Sequence, residues 1–123
     1  MKSEMKYVDI IMPNYNKGKN LKKSINSVIN QSYKFWKLFI IDDSSNDNSI
    51  SILKKYNKNK KIKIIFLKKN RGPSYCRNIG LKLSKSKVIC FLDSDDYWES
   101  QKIKKQLFFM KKNNHDFIYS DYY

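Results

Sequence analysis

Histidine occurs once in this chain of 123 residues, as His115, and cysteine only twice, as Cys76 and Cys90. A tetrahedral nitrogen and sulfur site of the zinc type is short of ligands on that count. Both thiols fall in segments that otherwise read as buried, so they are expected to be reduced core residues. Three glycines and two prolines leave no flexible or proline-rich linker, and no internal repeat is visible. Long apolar runs are also missing. The longest, Val88-Ile89-Cys90-Phe91-Leu92, falls far short of the roughly 20 residues that a membrane-spanning helix needs. The amino terminus, Met1-Lys2-Ser3-Glu4-Met5-Lys6, lacks the apolar segment and small-residue cleavage site of a secretory signal. A cytoplasmic address is therefore expected. Acidic residues are scarce too, 11 against 26 lysines and arginines, for a net charge of +15.

What is present suffices for one folded domain over residues 1–123. Hydrophobic residues make up 41% and aromatic residues 15% of the chain, which argues against wholesale disorder. Short runs rich in Ile, Val, Phe and Tyr at Tyr7 to Met12, Lys37 to Ile41, Ile62 to Leu67, Lys87 to Leu92 and Phe117 to Tyr119 suit strands covered on both faces, because they do not alternate. Helical spacing separates them. In Asn20 to Gln31, Leu21, Ile25, Val28 and Ile29 form one apolar stripe. Asp47 to Tyr56 repeats this more weakly, with Ser44, Ser45, Asn46 or Asp47 available as its N-cap. A third helix is expected to open at Gly72-Pro73 and run through Ile79 and Leu83, and a fourth spans Glu99 to Lys112. Strand and helix alternating in this way predict an open α/β sandwich of Rossmann-like type, a mostly parallel sheet with helices on both faces.

The few acids are concentrated. Asp42 and Asp43 follow the run Leu38-Phe39-Ile40-Ile41, with Asp47 close behind, and Asp93-Ser94-Asp95-Asp96 follows Phe91-Leu92. In open parallel sheets the ligand crevice lies beyond the carboxyl ends of the strands, so both clusters point toward the expected site. Two carboxylates about 4 Å apart repel by about 4 kcal/mol at an effective dielectric near 20. A divalent cation, a raised pKa or neighbouring Lys and Arg can offset this. Ligands that are all oxygen favour a hard ion such as Mg²⁺ or Mn²⁺. The plainer alternative is that Asp42, Asp43 and Asp47 are turn and helix-cap residues.

Four segments in order, Val8-Asp9-Ile10-Ile11-Met12-Pro13-Asn14-Tyr15-Asn16, Ile41-Asp42-Asp43-Ser44-Ser45-Asn46-Asp47, Asn70-Arg71-Gly72-Pro73-Ser74-Tyr75-Cys76-Arg77-Asn78-Ile79-Gly80 and Phe91-Leu92-Asp93-Ser94-Asp95-Asp96-Tyr97-Trp98, resemble the motifs of family 2 glycosyltransferases. The resemblance implies the GT-A fold and a nucleotide-diphospho-sugar donor, of which a UDP-sugar is one form. It places the nucleotide against Pro13, Tyr15 and Asp43, with Asp42 beside them. Physical chemistry agrees: an aromatic ring such as Tyr15 can sandwich a planar base, and an Asp carboxylate can accept the imide N–H of uracil.

The resemblance further makes Asp93 and Asp95 the acids of the family's D-x-D motif, near the donor's ribose and a diphosphate-bound Mn²⁺ or Mg²⁺, with Asp96 as a neighbouring ligand. Arg77 matches the Arg of an Ala-Arg-Asn segment in which Cys76 takes the Ala position. Its guanidinium suits paired bonds to phosphate, and a structural ion pair is the alternative. The role of Arg71 is open. Gly72 and Gly80 are expected to serve a tight turn and close helix packing, and Trp98 the core. Ser100 stands where the family often has Pro.

Family members are longer. Their further segment carries the acceptor site and the general base, which Asp116 and Asp121 do not match. The chain thus reads as the donor-binding part of an inverting glycosyltransferase, inactive alone, acting on a cell-surface polysaccharide or lipid-linked glycan. Its lysines would allow peripheral contact with an anionic membrane face. The competing readings are a basic nucleic-acid binder and a non-catalytic α/β domain. Against the first, the lysines appear scattered along the chain, without a recognised nucleic-acid motif.

Overall fold

A computed structural model describes residues 7–113. The chain runs β1 (Val8–Asn14), α1 (Gly18–Ile29), β2 (Trp36–Asp42), α2 (Ser49–Lys54), β3 (Ile62–Phe66), α3 (Pro73–Leu83), β4 (Val88–Phe91) and α4 (Lys102–Asn113). The expected strand Phe117–Tyr119, together with His115, Asp116 and Asp121, lies outside the described residues.

All pairings are parallel, in the order β3-β2-β1-β4. Every residue of β1 is buried, and β2 is buried except at Lys37, whereas the outer strands β3 and β4 are only partly covered. This is why the two central strands read as unbroken apolar runs. One face carries Ile10, Met12, Leu38 and Ile40 against Leu21, Ile25 and Val28 of α1, Leu53 of α2, and Ile103 and Met110 of α4. Trp98 joins that cluster at 8% exposure, as a core residue. The other face packs Ile11, Phe39 and Ile41 on Cys76, Ile79 and Leu83 of α3. The chain steps outward from β1 through β2 to β3, then returns to lay β4 on the other side of β1. A crossover of constant hand must then change face, and α3 does so.

Two close approaches fix α3. A Cβ on Gly80 would lie 2.5 Å from Cγ2 of Ile11, so the helix backbone can sit on β1 only with glycine there. Gly72, which precedes the helix, has φ +97° with no side chain crowding it, so its constraint is conformational.

Two helices are shorter than their periodicity predicts. α2 starts at Ser49 rather than Asp47 because the Asp47 carboxylate lies outside the helix and accepts the Ser49 N–H at 2.9 Å. α4 starts at Lys102 rather than Glu99 because residues 99 and 100 are engaged elsewhere: the Glu99 carbonyl accepts Gln31 Nε2 at 2.7 Å, and the Ser100 carbonyl accepts the Ser32 N–H at 2.9 Å. Gln31 is fully buried, and its Oε1 accepts the Ile103 N–H at 3.0 Å. One amide thus links the end of α1 to the first turn of α4 and satisfies a donor the helix cannot satisfy itself.

Candidate functional site

The strand order reverses between β1 and β4, and in an open parallel sheet the crevice opens beyond the carboxyl ends at that point. A cavity of ≈ 430 Å³ lies there. Pro13, Asn14, Tyr15 and Lys17 line it from the β1–α1 connection, Asp43 from beyond β2, Asn70, Gly72, Pro73, Cys76 and Arg77 from the start of α3, and Asp93, Ser94 and Asp95 from beyond β4.

The β2 end is held by a network centred on Asp42. This side chain is fully buried, and it accepts Asn14 Nδ2 at 2.8 Å, Ser45 Oγ at 2.7 Å and the Ser45 N–H at 3.0 Å. Ser44 adopts φ +63° and Asn16 φ +53°, left-handed conformations that Asn and other short polar residues tolerate best. The Asn16 side-chain carbonyl accepts the N–H groups of Asn46 and Asp47 at 2.8 and 3.2 Å. Asp47 closes the arrangement by accepting the first N–H of α1, from Gly18, at 2.9 Å. Burial works to raise its pKa, but the Ser49 side chain and the N–H groups of Gly18 and Ser49 outweigh it and hold the carboxyl below its usual value. Asp42 therefore stands beneath the cavity rather than in its wall. It and Asp47 take the turn and capping roles of the plainer alternative.

Asp43 faces the cavity, though it is only 2% exposed. Its two oxygens accept the N–H groups of Arg71 and Gly72 at 2.7 and 2.9 Å, and Asn70 Nδ2 donates to its carbonyl at 3.2 Å. The acid therefore positions the loop that opens α3 and keeps spare lone pairs for a ligand donor. Beside it the Asn14 Oδ1 atom is buried and has no hydrogen-bond partner among the described residues. Such an atom costs free energy until a donor reaches it. Cys76 forms the wall next to Asp43. Burial, and then the Asp43 charge, push its thiol up to about 12, while burial pushes Cys90 up to about 11. Both are free thiols, and neither is an activated nucleophile at neutral pH.

At the β4 end, Asp93, Asp95 and Asp96 are exposed and each offers an oxygen within 4.8 Å of the others. Two of the offsets that like charges require are visible. Arg77 Nη2 lies 3.2 Å from Asp93 Oδ1, and Lys17 Nζ 3.6 Å from Asp95 Oδ2. Burial, and then the charges of Asp95 and Asp93, raise the pKa of Asp96. The all-oxygen set fits a hard divalent cation.

Pro13, Tyr15, Asp43, Arg77, Asp93 and Asp95 thus share one cavity, with Asp96 at its acidic edge and Asp42 behind it. Sequence reasoning passed over Asn14, Lys17 and Asn70. Their signal was position alone, next to a strand's carboxyl end or a helix start. Arg71 directs its guanidinium to the ring of Tyr75, 4.8 Å away.

The model of the glycosyl transferase family 2 matches residues 9–123. A UDP-Glc:α-D-GlcNAc-diphosphoundecaprenol β-1,3-glucosyltransferase of Escherichia coli is 38% identical over 94% of this chain and 45% of its own length. A poly(ribitol-phosphate) β-N-acetylglucosaminyltransferase of Staphylococcus aureus is 43% identical over 96% of this chain and 37% of its own. The crystal structure of S. aureus TarS residues 1–349 with UDP-GlcNAc superposes with a TM-score of 0.81 at 29% identity, covering 88% of this chain and 32% of that one. The chain spans less than half the length of these relatives.

Proposed function

Since the chain belongs to glycosyl transferase family 2, we propose that the crevice binds a nucleoside-diphosphate sugar of the uridine series, and that the full-length protein transfers the sugar with inversion to a cell-surface polysaccharide or lipid-linked glycan. One observation carries this reading: residues suited to a base, a diphosphate and a cation meet in a single ≈ 430 Å³ cavity at the reversal of strand order. The resemblance to proteins named for UDP-sugar donors supports the choice of nucleotide.

Each residue has a part that follows from its chemistry. Tyr15, 44% exposed at the cavity mouth, offers a ring face to the base. Asp43 and the orphan Asn14 Oδ1 accept donors from the nucleoside. Arg77 exchanges Asp93 for a phosphate oxygen, since its fork serves either partner. Lys17 supplies a second positive charge nearby. Asp93 and Asp95, with Asp96, would hold Mn²⁺ or Mg²⁺, which when bound neutralises the diphosphate and stabilises the departing nucleoside diphosphate. Deprotonation of the acceptor hydroxyl requires a general base, and with the carboxylates of this cavity engaged on nucleoside and cation, the 123-residue chain alone is expected not to turn over. The proposed setting is the cytoplasm, in peripheral contact with the inner membrane face where lipid-linked acceptors lie.

Calorimetric titration with UDP in the presence of Mn²⁺ is expected to give saturable binding, while glycosyl transfer by the chain alone stays at background. A folded sample giving no heat with UDP, GDP or ADP would count against the donor reading. Robust transfer would overturn the need for a further segment.

A further inference from the structure

The opposite end of the sheet holds a second and larger groove, of ≈ 720 Å³, which the donor reading leaves unused. We infer that this groove binds an anionic saccharide chain, as a non-catalytic holding site. Lys34, Lys37, Lys60, Lys61, Lys63 and Lys85 line it, and its only acid is Asp9. Asp9 is 4% exposed, and its Oδ2 is occupied by the N–H groups of Lys85 and Ser86 at 2.9 and 3.0 Å. Six lysines therefore line a groove with no accessible carboxylate, although Lys34 Nζ also donates to the Ile29 carbonyl at 3.2 Å and Lys61 Nζ to the Lys34 carbonyl at 2.6 Å. Of the other acids among the described residues, Asp42, Asp43, Asp47, Asp93, Asp95 and Asp96 lie at or beyond the carboxyl ends of β2 and β4, while Glu99, whose carbonyl accepts Gln31 Nε2, lies toward the other end and pairs with Lys105 Nζ at 3.2 Å. Most of the described acids thus gather at the carboxyl end, and the lysine-lined groove at the amino end attracts polyanions.

The ring arrangement narrows the class of ligand. Tyr7 and Phe35, 51% and 41% exposed, meet edge to face at 5.6 Å and 81°, and Tyr33 meets Phe35 at 5.7 Å and 72°. The face of Trp36 is covered by Lys61 Nζ at 3.9 Å. Successive bases of a nucleic acid need open, roughly parallel platforms, which this cluster does not present. A partly exposed edge-to-face ring cluster beside lysines suits the apolar face of a sugar and its acidic substituent. Lysine, a point charge, takes phosphate or carboxylate without a fixed bidentate geometry. A flat bilayer fits a groove poorly. Docked here, it would also leave the donor cavity about 20 Å away, the length of seven-residue β1 at about 3.3 Å per residue. The choice of a saccharide rests on the glycan-building reading above; the anion preference does not.

The test is a titration of the 123-residue chain with polygalacturonate, followed by tryptophan emission because Trp36 lines the groove. Dextran, duplex DNA and phosphatidylglycerol vesicles are the comparison ligands, and UDP with Mn²⁺ is titrated separately. The triple variant K34Q/K60Q/K63Q is expected to bind polygalacturonate at least about tenfold more weakly, with UDP affinity unchanged. K19Q/K22Q/K104Q, which removes the same charge from exposed helix positions, is expected to stay within about threefold of the parent. Equal losses in the two triples would overturn the groove assignment, as would DNA or vesicles binding the parent more tightly than polygalacturonate. Polygalacturonate binding that persists when UDP fails would leave the groove standing and remove the donor reading instead.

Discussion

Arg77 on α3 places its Nη2 atom 3.2 Å from Oδ1 of Asp93 at the end of β4, so one guanidinium joins the two elements that wall the crevice. The pair is solvent-accessible, with side chains 36% and 53% exposed, and such pairs contribute little to stability. Under the proposed donor binding, it holds the guanidinium fork in place before a phosphate arrives. Arg77→Lys is expected to leave the denaturation midpoint almost unchanged and to weaken UDP binding about tenfold, because Lys cannot reproduce the fork. Uridine, which has no phosphate, is expected to bind the variant and the parent alike. Equal weakening of both ligands would show that Arg77 acts on the shape of the pocket instead.

Asp42 gives the opposite expectation. Three donors converge on its buried carboxylate, and truncation strands all of them. Asp42→Ala is expected to cost about 3 kcal/mol in urea denaturation. Asp95→Asn, at an exposed position, is expected to change stability by less than about 1 kcal/mol.

The contact of Gly80 with Ile11 predicts a coupled pair. Gly80→Ala improves helix propensity by about 1 kcal/mol, yet its Cβ would fall 2.5 Å from Cγ2 of Ile11. Overpacking costs about 1–3 kcal/mol, so a net loss is expected. In the Ile11→Ala background the same change is expected to be neutral or stabilising. A double-mutant cycle in urea measures the difference, and simple additivity would contradict the packing argument.

Strands β1 to β4 lie within about two residues of their sequence-derived bounds, because the central pair is buried on both faces and leaves unmixed apolar runs. The α1 stripe was legible for a similar reason: Leu21, Ile25 and Val28 face one core. The shortened α2 and α4 were not legible, since Asp47 and Gln31 bind backbone groups that only the tertiary fold brings near. Within the site, the converging acids were visible from their scarcity. The division between Asp43, which faces the cavity, and Asp42, which supports it, depends on which way neighbouring strand residues point. The lysine groove was hidden as well. Lys34, Lys61 and Lys85 are far apart in sequence and meet only because parallel strands start at the same end.

Acid sensitivity follows from Asp47. Its folded-state pKa lies below the ordinary 3.8, so the unfolded chain binds the proton more readily. The stability it contributes is complete above that ordinary value and is lost as pH falls through the folded value. Urea midpoints measured from pH 5 to pH 3 are expected to fall less steeply in Asp47→Asn than in the parent. Identical slopes would place the acid sensitivity elsewhere.

The most direct test of the donor site is UDP binding by calorimetry, with and without Mn²⁺, in the parent and in Asp93→Asn/Asp95→Asn. The parent is expected to bind at least about tenfold more tightly with the cation, and the double variant to lose that increment while remaining folded. Retention of the full Mn²⁺ effect in the folded double variant would contradict the assignment of these two carboxylates.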